Sequence, residues 1–249
     1  MTDHSQARHE GRIALITGAN KGLGLETARQ LGARGATVLL GARDLRRGKP
    51  AADALAAEGL DAHPLLLDVT DPACVADAAA WIDERYGRLD ILVNNAGITG
   101  AFSGPPSAAT AGQLRKVYET NVFGVLTVTN AMLPLLRRSP AGRIVNVSST
   151  VGSLTLNADF TSEFAGYNLV TYQSSKTALN ALTIAYAKEL RDTPIKVNAA
   201  NPGFTATDMN NHRGHQTVEE GVVTAVRLAL LGPDGPTGTS QDDTGTVPW

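Results

Sequence analysis

Tyr172 and Lys176 lie four residues apart in Tyr172-Gln173-Ser174-Ser175-Lys176, a stretch that runs on into Thr177-Ala178-Leu179-Asn180-Ala181-Leu182. On a helix this spacing puts both side chains on one face, about 6 Å apart along the axis. A free phenol titrates near pH ~10 and exchanges protons poorly at neutral pH. A neighbouring ammonium favours the phenolate and moves that value down, so the pair is a candidate general acid–base unit. Such a pair also arises by chance on many helices. Its chemistry depends on what the rest of the chain brings to it.

A second group is Thr17-Gly18-Ala19-Asn20-Lys21-Gly22-Leu23-Gly24, set between an apolar run and a helical pattern. Glycines there allow a tight turn and the close approach of a pyrophosphate to a helix N-terminus, where free N–H groups attract an anion. NAD is usually held by an acidic residue at the end of the second strand. Here that end reads Leu40-Gly41-Ala42-Arg43, with no carboxylate before Arg43. The planar guanidinium of Arg43 suits a 2′-phosphate, and Lys21 adds a second positive charge nearby. These residues point to NADP(H) as the cofactor.

The elements that must position these groups are legible as alternating patterns. Apolar runs over 13–17, 37–41, 63–67, 89–93, 143–147 and 195–199 read as buried strands, with a seventh near 245–247. Helical patterns follow the glycine loop, with Leu25, Ala28 and Leu31 inward, and then cover 44–58, 71–86, 110–138, 171–191 and 217–231. Asp71-Pro72 is a cap with proline at the first helical position, and Pro134 is expected to bend the last turn of its helix. Strands alternating with helices predict one α/β domain over 11–249, a doubly wound parallel sheet of about seven strands with helices on both faces. Residues 1–10 read as a flexible tail.

Composition narrows the partners. The 249 residues carry 22 basic and 24 acidic side chains, so net charge −2 gives no reason to expect nucleic acid or anionic lipid. An apolar share of 43% supports a proper core. The one cysteine, Cys74, excludes an intramolecular disulfide and a cysteine metal cluster. His212 and His215 are close but lack an obvious third ligand, and read as a solvated loop. A polar start and the lack of a bilayer-length apolar stretch lead to the expectation of a cytoplasmic protein with no membrane segment.

Seven motifs recur in order along nearly the whole chain. They are Thr17-Gly18-xxx-Gly22-x-Gly24, Asp68-Val69, Asn94-Asn95-Ala96-Gly97, Asn121, Ser148-Ser149, Tyr172-xxx-Lys176 and Pro202-Gly203. In these the sequence resembles the short-chain dehydrogenase/reductases of the single-domain, Rossmann-fold kind. The resemblance implies a tetrad of Asn121, Ser149, Tyr172 and Lys176. Tyr172 would donate a proton to a substrate carbonyl, and Lys176 would lower its pKa and hold the nicotinamide ribose. Ser149 would hold the carbonyl oxygen, chosen over Ser148 because the family's serine is the second of such a pair. Asn121 would support a water-linked proton path to Lys176. On the cofactor side, the resemblance implies Gly18, Asn20, Lys21, Gly22, Leu23 and Gly24 around the phosphates. It places Asp68 and the Val69 backbone at the adenine and the backbone of Asn95 and Gly97 along the adenosine. Pro202, Gly203, Thr205 and Thr207 would meet the carboxamide or phosphates. Residues 208–214 look like a mobile substrate lid.

Within the family, Asn20-Lys21-Gly22, Ala42-Arg43-Asp44 and the closing Pro248-Trp249 are most similar to carbonyl reductases that use NADPH. The implied reaction is reversible reduction of a small ketone or aldehyde. Two other readings are an NAD-dependent alcohol dehydrogenase of a catabolic pathway and a non-catalytic NADP(H)-binding sensor or scaffold. Ala42 and Arg43 disfavour the first, and the full tetrad disfavours the second. One departure is spacing: Ser149 and Tyr172 are 23 positions apart, longer than usual, with Phe160 and Phe164 in the extra segment 153–166. That segment is expected at the substrate mouth. Family members commonly form a homodimer or homotetramer through two long helices, while related reductases with a longer insertion are monomers. The apolar outer faces of 118–136 and 179–190 favour association.

Overall fold

Strand β1 (Ile13–Thr17) is buried along its whole length, and its side chains leave alternately by opposite faces of the sheet. Ala14 and Ile16 join one apolar cluster, Ile13 and Leu15 the other. The same alternation in the neighbouring strands gives the sheet two apolar faces, and each must be covered by helices. The computed structural model describes residues 11–100, 102, 104–166 and 168–249, so the expected tail, 1–10, lies outside the described residues.

The strands are β1, β2 (Thr37–Ala42), β3 (Ala62–Leu66), β4 (Ile91–Asn94), β5 (Arg143–Val147), β6 (Lys196–Ala200) and β7 (Ser240–Gln241). They form one sheet in the order β3-β2-β1-β4-β5-β6-β7, with every neighbouring pair parallel. Helices α1 (Gly22–Gly32) and α2 (Leu45–Ala57) cover one face with the paired short helices α8 (Val218–Gly221) and α9 (Val223–Ala229). On the other face lie α3 (Pro72–Tyr86), α5 (Gly124–Leu136) and α7 (Val170–Glu189). Strand order reverses between β1 and β4, which leaves a crevice at the carboxyl ends of the strands.

Local signals account for several boundaries. Asp71 caps α3 by accepting from the Ala73 N–H at 3.0 Å, Pro72 occupies the first turn, and Gly87 ends the helix at φ +70°. In three places the chain departs from the sequence pattern. The helix expected over 110–138 is α4 (Ala111–Tyr118) and α5 joined by a π-helical turn, Glu119–Phe123. Asn121 stands in that turn, fully buried, and its amide contacts fix the widened backbone. The last helix is interrupted at Val222. The seventh strand is Ser240–Gln241, whereas Val247 is buried on the return of a turn in which Thr246 pairs antiparallel with Gln241. An apolar side chain there reports burial without a place in the parallel sheet.

A buried polar chain joins the layers near the crevice. Asn94 donates to Asn146 at 2.9 Å and to Thr129 at 3.1 Å, and Asn146 donates to Thr183 at 2.8 Å. It ties β4 and β5 to α5 and α7. Among the described residues no helix is long and apolar enough to cross a membrane, and no group of three or more His, Cys, Asp or Glu side chains could hold a metal ion. Replacing Asn146 with Val leaves the Asn94 amide and the Thr183 hydroxyl short of a partner. Urea unfolding is expected to show a loss of about 2–3 kcal/mol, with the slope against denaturant unchanged.

Candidate active site

The turn from β1 into α1 is built as a cradle. Gly18 and Gly22 adopt φ of +64° and +56°. A Cβ on Gly24 would stand 2.5 Å from Asn95 Nδ2 and 2.6 Å from the Gly18 carbonyl, so only glycine fits. Asn95 braces the loop by donating to the carbonyls of Thr17 at 2.8 Å and Gly18 at 3.2 Å, while Thr17 Oγ1 accepts from the Asn95 and Ala96 N–H groups. Asn20 and Lys21 form the approach, and Leu23 packs on the core. Helix α1 has no side-chain cap and no acidic residue in its first turn, which leaves its leading N–H groups for an anion. This cradle fits a pyrophosphate.

At the end of β2, Arg43 is exposed and without a partner among the described residues. The carboxylate beside it, Asp44, caps α2 through the Arg46 N–H at 2.9 Å and grips the Arg46 guanidinium. Those contacts hold Asp44 below the usual carboxylate range. Asp44 is thus engaged, and the free charge at this corner is positive. Asp68 accepts from the Thr70 N–H and hydroxyl through Oδ1, beside the buried Val69.

Ser149, Tyr172 and Lys176 meet at the carboxyl edge of β5. Ser148 turns inward and donates to Asn180 at 2.6 Å, so Ser149 is the serine left facing the crevice, where its hydroxyl and the Tyr172 phenol are hydrogen-bonded. Tyr172 keeps part of its surface open, and burial of the rest pushes its phenol up to about 12, an effect the Ser149 bond partly offsets. The sequence pattern led to a depressed phenol. Desolvation outweighs the ammonium here because the Lys176 Nζ lies 5.5 Å from the ring centroid and donates instead to the Val147 carbonyl at 2.7 Å. Lys176 is itself buried, which lowers its ammonium to about 8.

Asn121 donates to the Ile98 carbonyl at 2.8 Å and to Ser175 at 3.0 Å, and accepts from the Ile98 N–H at 2.9 Å. A Cβ on Gly97 would be 3.5 Å from Asn121 Oδ1 and 3.7 Å from Lys176 Nζ, so Gly97 lies between the two.

On the far wall, Gly203 takes φ +69°, Thr205 donates to the Pro202 carbonyl at 2.8 Å, and Thr207 begins a short 3₁₀ turn, Asp208–Asn210. The segment expected as a lid is tied to the cradle. Asp208 pairs with Lys21 at 2.5 Å and with His212 at 2.9 Å. Lys21 and Asp208 are both more than half exposed, so solvent screens their pair and leaves it easily exchanged. The structure brings Ser149, Tyr172 and Lys176 together and sets Gly97 between Lys176 and the buried Asn121, while Ser148 belongs to the core. Thr17 as a brace, Asp208 as the partner of Lys21, and Asn180 as the partner of Ser148 were not legible, because each acts across at least 32 positions of chain.

A parallel sheet in this order, with a glycine cradle at its switch point, defines the Rossmann class. The sequence profile described as short chain dehydrogenase matches residues 12–217. Short-chain dehydrogenase/reductase 1 of Saponaria officinalis is 36% identical, with 96% of this chain and 96% of that protein covered. Carbonyl reductase (NADPH) 1 of Sus scrofa is 34% identical over 96% of this chain and 94% of its own. The crystal structure of an NADPH-bound carbonyl reductase from chicken fatty liver superposes with a TM-score of 0.83 at 30% identity, covering 96% of this chain and 99% of that one. The chain belongs to the short-chain dehydrogenase/reductase family of oxidoreductases.

Burial of Lys176 sets a pH signature. With an ordinary value of 10.5 lowered to about 8, the unfolded chain binds more protons between these values, so stability rises with pH across that window. Against Lys176→Met, wild-type unfolding free energy is expected to gain up to about 3 kcal/mol between pH 8 and 10.5. Denaturant titrations of both proteins at several pH values measure it.

Proposed function

We propose that the protein is an NADPH-dependent carbonyl reductase that converts a ketone or aldehyde to an alcohol, reversibly. The observation that carries this reading is the Ser149–Tyr172 hydrogen bond beside a buried Lys176, at the crevice that also holds the glycine cradle. The carbonyl reductases among the relatives support it.

In this reading Tyr172 is the acid. Its phenol, pushed up to about 12 by burial, is protonated at neutral pH and holds the proton that carbonyl reduction consumes. Ser149 reaches the same oxygen and orients the substrate carbonyl towards it. Lys176 remains largely charged at pH 7 and stabilises the phenolate as the proton leaves, and it holds the nicotinamide ribose. Asn121 supports a water-linked proton path to Lys176. When bound, the reduced nicotinamide supplies the hydride.

Arg43 is the residue assigned to the 2′-phosphate. Its guanidinium is free while the neighbouring carboxylate is occupied, which favours a phosphate over bare ribose hydroxyls. Lys21 assists, in exchange with Asp208. Around the remaining cofactor, Gly18, Asn20, Gly22, Leu23 and Gly24 embrace the phosphates, with Asp68 and Val69 at the adenine. Asn95 and Gly97 follow the adenosine, and Pro202, Gly203, Thr205 and Thr207 meet the carboxamide end.

Initial rates with an activated aryl ketone, followed by loss of reduced-nicotinamide absorbance, test this. Tyr172→Phe is expected to lower kcat by at least about 10²-fold with NADPH binding largely intact. Substantial activity in that variant would assign the acid to another group. Arg43→Asp is expected to weaken NADPH by about 10- to 100-fold, as for a lost charged hydrogen bond, and to shift preference to NADH. Unchanged preference would move the phosphate contact to Lys21 or Arg47.

A further inference from the structure

The two hydroxyls of the proposed reaction come from different elements. Ser149 follows β5, and Tyr172 stands in the first turn of α7, with the extra segment between them. In the structure a 3₁₀ turn, Thr150–Gly152, leads into that segment, which itself contains a short helix, α6 (Leu154–Ala158). This connection meets α7 at two points, one around Lys176 and Thr177 and one at Gln173, next to Tyr172.

The first point lies beside Lys176. The Gly152 carbonyl accepts from Thr177 at 2.9 Å and from Asn180 at 3.3 Å, and a Cβ on Gly152 would stand 2.8 Å from Lys176 Cβ. This contact fixes the later turns of α7 against β5 but leaves the first turn to be held separately. Helix α7 has no side-chain cap from its N-cap residue, Leu169.

The second point, together with the buried Thr171, which donates to the Thr99 carbonyl at 3.5 Å, supplies that hold. Gln173, next to Tyr172, accepts from the Leu169 N–H through Oε1 at 2.6 Å and donates from Nε2 to Asn157 Oδ1 at 2.8 Å. Asn157 in turn donates to the carbonyls of Val151 at 2.9 Å and Ser153 at 2.7 Å. Val151 lies in the turn that closes on Ser149, whose carbonyl accepts from Gly152 N–H at 2.9 Å, and Ser153 is the residue that follows this turn and caps α6. An unbroken line of hydrogen bonds thus runs from the start of α7 to the backbone just beyond Ser149.

We propose that Asn157 and Gln173 are positioning residues that hold the Ser149 and Tyr172 hydroxyls in register for proton transfer. The proposal rests on the carbonyl-reductase reading. Neither side chain belongs to the cofactor cradle, so their loss separates turnover from cofactor binding. A small displacement of a catalytic group has a large effect on rate, whereas the Gly152 contact still docks the body of α7.

The test is a double-mutant cycle on the full chain with NADPH and an activated aryl ketone, with NADPH dissociation constants from fluorescence titration. Asn157→Ala and Gln173→Ala are each expected to lower kcat by about tenfold, with NADPH affinity within about twofold of wild type. The double variant is expected to fall no further than either single one, because both remove the same bridge. Gln173→Glu keeps the acceptor for Leu169 N–H and loses the donor to Asn157, and is expected to behave like the alanine variant. The proposal is overturned by wild-type kcat in any single variant, by additive losses of about a hundredfold in the double variant, or by NADPH affinity falling in step with kcat. Tyr172→Phe run alongside separates two failures. If it is inactive while the bridge variants turn over normally, only the positioning role is lost; if it is active, the acid is another group, and if the wild type itself fails to oxidise NADPH with the ketone, the carbonyl-reductase reading is wrong.

Discussion

A buried ammonium at the open edge of the sheet organises this site. Lys176 is almost wholly enclosed, and a charge in that position needs a polar partner within reach. It finds the Val147 carbonyl at 2.7 Å, which fixes one turn of α7 against the end of β5. From that contact follows the direction in which Tyr172 faces, and hence its meeting with Ser149. Gly152 is bare because the backbone must come this close to Lys176.

The same enclosure sets the protonation states in opposite directions. Removing water raises the phenol and lowers the ammonium, since in each case the charged form is the one disfavoured. The result at neutral pH is a neutral acid beside a cation whose pKa lies within reach of the medium. In the proposed reaction, a proton donor and a charge that would welcome its departure therefore coexist without an ion pair between them. The polar chain Asn94–Asn146–Thr183, lying behind this pair, keeps β4, β5 and α7 in register beneath it.

Across the crevice the electrostatics are governed by which charges are already engaged. Asp44 is taken by the α2 cap and Arg46, and Lys21 by Asp208, while Arg43 at the end of β2 has no partner among the described residues. The sequence sets Arg43, Arg46 and Arg47 against Asp44 at this corner without showing whether that carboxylate is available. The difference lies in geometry: a carboxylate that accepts a helix N–H and a guanidinium together has little to offer a ribose.

The alternating strands and helices, the cap at Asp71, the glycine cradle, and the four-residue spacing of Tyr172 and Lys176 are all readable along the chain. Each is written in local periodicity or in the backbone demands of glycine and proline, which neighbours in the chain decide. Tertiary structure alone decided the π-helical turn at Asn121, the inward turn of Ser148, the position of β7, and the direction of the Tyr172 pKa shift. Asn121 is held by Ile98 and Ser175, 23 and 54 positions away, and Ser148 by Asn180. Val247 carries an apolar pattern that fits a strand or a buried turn equally, and only pairing with Ser240–Gln241 separates the two. Desolvation, too, depends on what the folded chain wraps around a group, and no spacing along the sequence records it.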